Sequence, residues 1–166
     1  GGFCKLTRAN SPSKLASLSI PYIIMDEVDK YPRWAGREAN PIKLARERSK
    51  NWPGMMKLVL ISTPTIKEGN ITKAYNEADV RYKYYVPCPH CGHMQPLTWD
   101  GVKFDSKEHA TVVEYQTHYE CCECHGIIKD HHKPEMLRRG KWVAQNKCKG
   151  KPKRIAYSIN SIYSPW

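Results

Sequence analysis

Two Cys-x-x-Cys pairs constrain the fold of this chain more than any other feature of its sequence. The first pair is Cys88 and Cys91, and the second is Cys121 and Cys124, with Cys122 as an additional thiol. Each pair places two thiolates on one side of a tight turn, and two such turns complete the tetrahedral coordination of Zn²⁺. We therefore predict one structural zinc ion, held by the four paired cysteines with no coordination position left open for a substrate.

Two details of the pairs leave alternatives open. The stretch between Cys91 and Cys121 is longer than the roughly 15–20 residues of a compact zinc ribbon, which suits an inserted β-hairpin. In the second pair His125 precedes Gly126, whereas we expect Gly directly after the last cysteine. Cys122 or a neighbouring histidine could therefore replace one ligand. Paired cysteines at this spacing favour metal binding over disulfides. They also indicate a reducing compartment.

The residues before the first cysteine pair predict alternating strands and helices. Short apolar runs of four residues are typical of strands buried on both faces, and their alternation with helices predicts an α/β layer with a parallel sheet. Capping residues and Pro positions set the helix starts. The predicted elements are a helix over Ser11–Leu18, a strand over Tyr22–Met25, a helix over Asn40–Arg48, a strand over Lys57–Ser62 and a helix over Gly69–Tyr75.

The second half of the chain predicts a small β-rich module. Its aliphatic content falls after position 81, where we place a domain boundary, and a metal ion would compensate for the small core. The residues from 82 to 146 would form this module, and 147–166 would be a basic linker into a further domain. The predicted elements are strands over Tyr82–Val86, Met94–Trp99 and Thr111–Tyr119 and a helix over His132–Arg139.

The chain is strongly basic, with 27 Lys and Arg against 16 Asp and Glu and a net charge of +11. Most of the excess lies between Lys129 and Arg154, and such a block indicates an anionic partner, with nucleic acid the first candidate. A solvated surface is an equally good interpretation. No apolar run approaches the about 20 residues of a membrane span, so we expect no membrane partner. The candidate DNA contacts are Arg138, Arg139, Lys141, Lys151, Lys153 and Arg154.

Two acids, Asp26 and Glu27, directly follow the first predicted strand. In P-loop ATPases the first such acid holds Mg²⁺ and the second polarises the attacking water. Ser62 and Thr63 follow the neighbouring strand and could sense the γ-phosphate. The chain contains no Gly-x-x-x-x-Gly-Lys-Ser/Thr loop. We therefore expect that loop upstream, in a longer protein from which both ends were cut, and an inactive fragment in its absence.

Several motifs occur in a fixed order along the chain. They are Ala9-Asn10-Ser11-Pro12, Asp26-Glu27-Val28-Asp29, Ser62-Thr63-Pro64-Thr65, Val86-Pro87-Cys88-Pro89-His90-Cys91-Gly92 and Ser158-Ile159-Asn160 with Tyr163. This order resembles that of the large terminase subunit of lambda-type tailed phages, the DNA-packaging motor, over nearly the whole chain. The resemblance implies an ATP-driven DNA translocase with an N-terminal ATPase and a C-terminal metal-dependent nuclease that cuts DNA and packages it into a procapsid.

The resemblance also implies roles for particular residues. Asp26 would bind Mg²⁺, Glu27 would be the catalytic glutamate, and Ser62 and Thr63 would form the coupling motif. Residues 1–81 would be the C-terminal part of a P-loop (RecA-like, ASCE) ATPase sheet, 82–146 a zinc-ribbon-like insertion, and 147–166 the start of the nuclease domain.

The implied cofactors are ATP, Mg²⁺ and Zn²⁺. The implied partners are double-stranded DNA, the terminase small subunit, the portal of the procapsid and further copies of the subunit, in the cytoplasm of an infected bacterium at the procapsid portal. Two other functions remain open on the sequence alone. One is a zinc-ribbon DNA-binding module on an inert scaffold, and the other is a helicase-like P-loop ATPase with a zinc insertion.

Overall fold

The computed structural model describes residues 2–9, 11, 19–32, 40–104 and 117–164. The chain forms two units, 1–76 and 77–166, so the boundary lies a few residues before the expected position 81. The predicted helix over 11–18 lies outside the described residues apart from its first position. Across the described ranges, no helix has the length and apolar character needed to cross a membrane.

The first unit is built on a pair of parallel strands. Strand β1 (Tyr22–Met25) pairs with strand β2 (Lys57–Leu60), and helix α1 (Pro41–Ser49) lies between them in the chain. Helix α2 (Asn70–Asn76) follows β2. These four elements confirm the predicted β-α-β order and the parallel pairing, with ends one or two residues from the expected positions.

Helix α1 begins where its sequence predicts. The Asn40 side chain accepts a hydrogen bond from the Ile42 N–H at 2.9 Å, and Pro41 occupies the first turn, where its missing N–H costs nothing. The helix buries Leu44 and Ala45. The unit's core is formed by Met25, Val28 and Ala45, and the partly buried residues packed on it are Ile23, Tyr31, Ile42, Leu58, Leu60 and Ile71.

The prediction that both strands are buried on both faces is wrong for this structure. Their exposure alternates: Ile24 is 73% exposed and Val59 is 45% exposed, while Ile23 and Leu58 pack on the core. Successive side chains of a strand point to opposite faces, so one face of the pair packs on the core and the other faces solvent. A run of four apolar residues does not distinguish a strand covered on one face from one covered on both.

The second unit contains two small sheets. In the first, the long strand β3 (Val80–Pro87) pairs antiparallel with β4 (Met94–Pro96) and β8 (Lys141–Ala144) and parallel with β9 (Ile155–Ser158). In the second, strands β5 (Val102–Lys103), β6 (His118–Glu120) and β7 (Ile127–Ile128) pair in antiparallel order with β6 in the middle. Helix α3 (Lys133–Arg138) follows β7.

Two tyrosines organise the core of the second unit. The Tyr163 hydroxyl accepts from the Leu97 N–H at 2.7 Å and donates to the Tyr84 carbonyl oxygen. The Tyr119 hydroxyl accepts from the Thr98 N–H at 3.1 Å. The buried members of this core are Val86, Cys88, Leu97, Tyr119, Cys121, Ile128, Met136 and Tyr163. Two of the four metal-ligand candidates, Cys88 and Cys121, therefore belong to the core itself.

Within the described residues, 147–164 do not form a separate linker. Its Ile155–Ser158 strand pairs with β3 in parallel, Val80 opposite Ile155, and Tyr163 is buried in the core of the second unit. Charge alone suggested a linker, but the apolar residues Ile155 and Tyr163 place the segment in the sheet and core. The predicted strand over 111–119 is described only from 117 onward, where β6 begins at His118.

Candidate functional site

The four paired cysteines converge on one point in the second unit. The sulfur of Cys88 lies 3.8 Å from that of Cys124, and the sulfur of Cys91 lies 3.8 Å from that of Cys121. All four sulfurs lie within 4.8 Å of one another. A Zn–S bond of about 2.3 Å in a tetrahedron corresponds to sulfurs about 3.8 Å apart, so the cluster has the dimensions that this coordination requires. The four thiols could hold one metal ion.

The two turns that carry the thiols have matching backbone hydrogen bonds. The Cys88 N–H donates to the His93 carbonyl at 2.9 Å, as the Cys121 N–H donates to the Gly126 carbonyl at 3.1 Å. In each turn, the N–H two residues after the first cysteine points at that cysteine's sulfur: His90 to Cys88 at 3.4 Å, and Glu123 to Cys121 at 3.5 Å. These N–H groups favour the thiolate form that binds metal.

The residue after each pair explains how the second turn forms without glycine. Gly92 has φ +75°, and His125 at the equivalent place has φ +56°. A side chain at positive φ is uncommon, and here the His125 Nδ1 lies 2.6 Å from Glu120 Oε1, which holds the ring beside the turn. The turn therefore forms without the glycine that we expect directly after the last cysteine, and His125 does not disqualify the second pair.

The alternative ligands are directed elsewhere. Cys122 is exposed and stands outside the group of four. The His90 Nε2 lies 2.7 Å from the Ile127 carbonyl oxygen, and the His125 ring contacts Glu120. Among the described residues, the four paired cysteines are the group of His, Cys, Asp and Glu with metal-binding spacing.

The thiols differ in how easily they ionise. Burial raises the pKa of Cys88. Burial acts in the same direction on Cys121, but the N–H groups of Cys124 and Glu123 outweigh it and lower the pKa of Cys121 to about 6. At neutral pH Cys121 is therefore the first of these two thiols to offer a thiolate, and a metal ion would deprotonate the others as it binds.

The acidic pair lies at the carboxyl end of β1, in the first unit. Asp26 is exposed, and its Oδ1 accepts from the Glu27 N–H at 2.9 Å. Glu27 has φ +54°, so a non-glycine residue occupies the left-handed region directly after the strand. Such conformations are uncommon and cluster at functional sites. The Glu27 carboxylate pairs with Lys30 at 3.1 Å, and both side chains are well exposed, so the ion pair is weak and can open.

Ser62 and Thr63 follow the adjacent end of β2. The Ile61 N–H donates to the Met25 carbonyl at 2.9 Å, and the Val28 N–H donates back to the Ile61 carbonyl at 3.2 Å. These bonds continue the parallel pairing past both strand ends. They bring the loop after β1 next to the loop after β2.

The structure adds two residues that sequence reasoning did not assign to the site. The carboxylate of Asp29 accepts hydrogen bonds from Thr65 and Ile71, and the Asp29 N–H donates to the Ser62 hydroxyl. Tyr31 packs on the core, and burial, followed by the charge of Asp26, raises the pKa of Tyr31. The sequence signal for Asp29 was that a third acid follows Asp26 and Glu27 so closely.

The six candidate DNA contacts are all exposed, but the structure does not gather them into one patch. Lys141 pairs opposite Tyr85 near one end of β3, whereas Arg154 directly precedes β9, which starts opposite Val80. Five residues of strand separate these points by roughly 17 Å. Arg138 forms an ion pair with Glu135, and Arg154 pairs with Glu77 at 3.0 Å. The cations form two groups: Arg138, Arg139 and Lys141 in one, and Lys151, Lys153 and Arg154 in the other.

Comparisons with known proteins bear on both sites. The model of the family described as phage terminase large subunit gpA, ATPase domain, matches residues 1–142. A terminase large subunit of Enterobacteria phage P21 is 28% identical to this chain in an alignment 174 residues long. The alignment covers 89% of this chain and 25% of that protein. The chain thus spans about a quarter of the length of this curated relative. No solved structure matches the chain.

Proposed function

This chain belongs to the phage terminase large subunit family, and on that premise we propose that it supplies the metal-binding and water-activating acids of a DNA-packaging ATPase. The observation that carries the proposal is the position of Asp26 and Glu27 at the carboxyl end of β1, beside the end of the parallel strand β2. Ligands of open α/β sheets bind at this edge. The complete protein would use ATP hydrolysis to translocate double-stranded DNA.

Asp26 fits the role of a Mg²⁺ ligand because it offers an exposed carboxylate at the end of a strand. Mg²⁺ keeps water and phosphate oxygens as its other ligands, so one protein carboxylate is a sufficient contribution. When bound, the ion would neutralise charge that develops on the transferred phosphate. Asp26 also accepts the Glu27 N–H, which fixes the direction of the next residue.

Glu27 is the proposed general base. Its left-handed backbone turns the chain sharply after β1, and its carboxylate is held at present by the exposed Lys30 ammonium. An exchange of this weak ion pair for an attacking water would cost little. Ser62 and Thr63, at the end of β2, would respond to the change at the phosphate, since the Ser62 hydroxyl already accepts the Asp29 N–H at 3.1 Å.

The thiol cluster is proposed to bind one structural Zn²⁺ within a zinc-ribbon-like module. Four protein sulfurs fill the tetrahedron, which leaves no position for substrate. Two of them are buried in the core of the second unit, so the metal would stabilise that core directly. The two cation groups of this unit would contact DNA phosphates, and contacts of this kind position a protein without reading sequence.

The remaining partners are proposed from the family alone. They are the terminase small subunit, the procapsid portal and other copies of the large subunit, in the cytoplasm of an infected bacterium. A nuclease domain would lie elsewhere in the complete protein.

The proposal is tested by Glu27→Gln in the complete subunit. The amide keeps the shape of the side chain but cannot accept the proton, so ATP should still bind while turnover falls by about 10²–10⁴-fold. Steady-state ATPase rates and nucleotide binding measure the two effects separately. Glu47→Gln, which removes an exposed carboxylate paired with Lys50, is the matched control and should leave turnover unchanged.

Two outcomes decide the matter. Loss of packaging with DNA binding retained in Glu27→Gln supports a motor rather than a passive DNA-binding module. Unchanged turnover in Glu27→Gln contradicts the assignment of Glu27 and, with it, the proposed function of this loop.

A further inference from the structure

Asp29 makes hydrogen bonds that neither Mg²⁺ binding nor water activation requires. Its Oδ2 accepts from the N–H of Thr65 at 3.0 Å and from the Thr65 hydroxyl at 3.2 Å. Its Oδ1 accepts from the Ile71 N–H at 2.7 Å, and its own N–H donates to the Ser62 hydroxyl oxygen at 3.1 Å. One residue therefore joins three segments: the loop after β1, the loop after β2 and the first turn of α2.

This carboxylate is in close contact with the start of helix α2. Gly69 is buried, and a Cβ added there would lie 2.3 Å from Asp29 Oδ2. The Asn70 side-chain amide donates to the Val28 carbonyl at 2.8 Å, a second bond between α2 and the loop after β1. The hydrogen bonds also hold the pKa of Asp29 below its usual value, although burial opposes them. Asp29 is therefore ionised at neutral pH and accepts from all its donors at once.

The same loop carries the proposed catalytic acid two residues earlier. The Lys30 N–H donates to the Glu27 carbonyl at 2.9 Å, which closes a 3₁₀ turn over Val28–Lys30. Because Asp29 lies inside this turn, a change of the Glu27 backbone moves Asp29 as well. Asp29 would then pull on the Thr65 and Ile71 N–H groups that it holds.

We propose that Asp29 is a positioning residue that links the Glu27 loop to Ser62, Thr65 and helix α2, and so couples ATP hydrolysis to DNA movement. The inference rests on the proposed function, since it assumes that Glu27 belongs to an ATPase site. Coupling requires a structural element with two arrangements, whose balance is changed both by the ATP site and by bound DNA. We assign this role to the three segments that Asp29 joins by hydrogen bonds.

A purely structural role for Asp29 gives a different result in a measurable way. Removing hydrogen bonds that only stabilise the fold lowers the melting temperature and the fraction of active protein. It does not alter ratios measured on the active molecules, such as the stimulation of ATPase activity by DNA or the base pairs packaged per ATP. These two ratios therefore separate coupling from stability.

The main test is Asp29→Asn in the complete subunit. The amide keeps the volume and one acceptor but turns an NH₂ group toward a donor, so one side of the network is lost. We expect the stimulation by DNA, measured as the ratio of the stimulated to the basal ATPase rate of the same variant, to fall about tenfold, or about 1.4 kcal/mol. The base pairs packaged per ATP should fall in parallel.

A second variant covers the case in which Asp29→Asn fails to fold. Thr65→Val removes only the hydroxyl bond to Asp29 and leaves the backbone N–H in place. It should reduce both ratios in the same direction by a smaller factor. Glu68→Gln, which removes the charge of an exposed acid on the same loop, is the control and should leave both ratios unchanged.

Wild-type ratios in Asp29→Asn overturn the inference, even if its melting temperature falls. If that variant does not fold, wild-type ratios in Thr65→Val overturn it instead. Failure of the proposed function is recognised separately, because it is judged by the turnover of Glu27→Gln and not by either ratio.

Discussion

The two candidate sites are held together in different ways. In the thiol cluster, the first cysteine of each turn has its own N–H donor two residues along the chain, at Cys88 and Cys121. The two turns then meet across 30 and 36 residues of sequence, where a metal ion would join them. In the acidic loop, Asp29 finds its partners 33, 36 and 42 residues away, at Ser62, Thr65 and Ile71. The first site therefore has parts that are fixed locally, whereas the second exists only once distant segments have folded together.

The difference has an energetic consequence. A bound metal ion would be a single strong interaction that joins the two thiol turns, so its loss would affect the whole second unit. The acidic loop is held by several hydrogen bonds, each worth about 0.5–1.5 kcal/mol, or about 1.5–3 kcal/mol to a charged group. The loss of a single one of these bonds should therefore cost far less than the loss of a metal ion.

The largest expected effect comes from removal of the metal. Chelation or Cys121→Ser should unfold the second unit, since zinc-coupled folding is worth about 10–16 kcal/mol in small peptides. Hydrogen exchange should then lose protection in β3 while β1 is unaffected. Cys122→Ser, which changes the exposed neighbouring thiol, is the control and should keep metal content and protection.

Metal analysis checks the same prediction from the other side. We expect one zinc per folded chain. Clearly less than one zinc in a folded sample, or full protection of β3 in Cys121→Ser, would show that local turns alone hold the second unit.

The sequence predicted the features that depend on local spacing. The two cysteine turns, the strands over Tyr22–Met25 and from Lys57, and the start of α1 at Pro41 all follow from short-range patterns, and the structure confirms them. The place of Asp26 after β1 was predicted in the same way. The family was recognised from the order of such motifs, and the family match confirms it.

The features that the sequence did not predict are those set by distant contacts. The exposure of Ile24 and Val59 depends on what covers each face of the strand pair, and a run of four apolar residues does not specify this. The role of Asp29 depends on Thr65 and Ile71 arriving beside it. A residue other than glycine occupies the left-handed turn at His125, where its ring contacts Glu120, and a pattern that expects glycine there does not predict this.

A smaller effect is expected from Gly69→Ala, which disturbs the acidic loop without changing any acid. The added methyl would lie 2.3 Å from Asp29 Oδ2, so the carboxylate and the N-terminal end of α2 must separate. Such overpacking costs about 1–3 kcal/mol. Hydrogen exchange should increase in α2 and the loop after β2, and the second unit should be unchanged.

Gly2→Ala is the matched control, because a methyl added there meets nothing within 4 Å. Equal stability of Gly69→Ala and Gly2→Ala would mean that the contacts of Asp29 yield without cost. The distinction drawn above between a locally fixed site and a site fixed by distant contacts would then lose its energetic basis.

The smallest expected effect comes from a carboxylate, Asp79, that holds a segment distant in sequence within the second unit. The Asp79 Oδ2 accepts the N–H groups of Lys153 and Arg154 at 2.7 and 2.9 Å, more than 70 residues along the chain. The backbone N–H of Arg154, then that of Lys153, lowers the pKa of Asp79 below its usual value. A lowered carboxyl pKa stabilises the fold above the unfolded-state pKa, and that contribution is lost as pH falls through the folded-state value.

Asp79→Asn should therefore lower the melting temperature slightly, and the difference from wild type should be constant from about pH 5 to 8. It should shrink only below about pH 4, where the wild-type carboxyl becomes protonated. Asp100→Asn, at another exposed acid of the same unit, is the control and should keep the melting temperature of the wild type.

A difference in melting temperature between Asp79→Asn and wild type that changes between pH 5 and 8 would mean that another group governs the attachment of β9. A difference of zero at pH 7 would mean that the pairing of β9 with β3 holds this segment without the carboxylate, so that the second unit depends on its metal and its sheet alone.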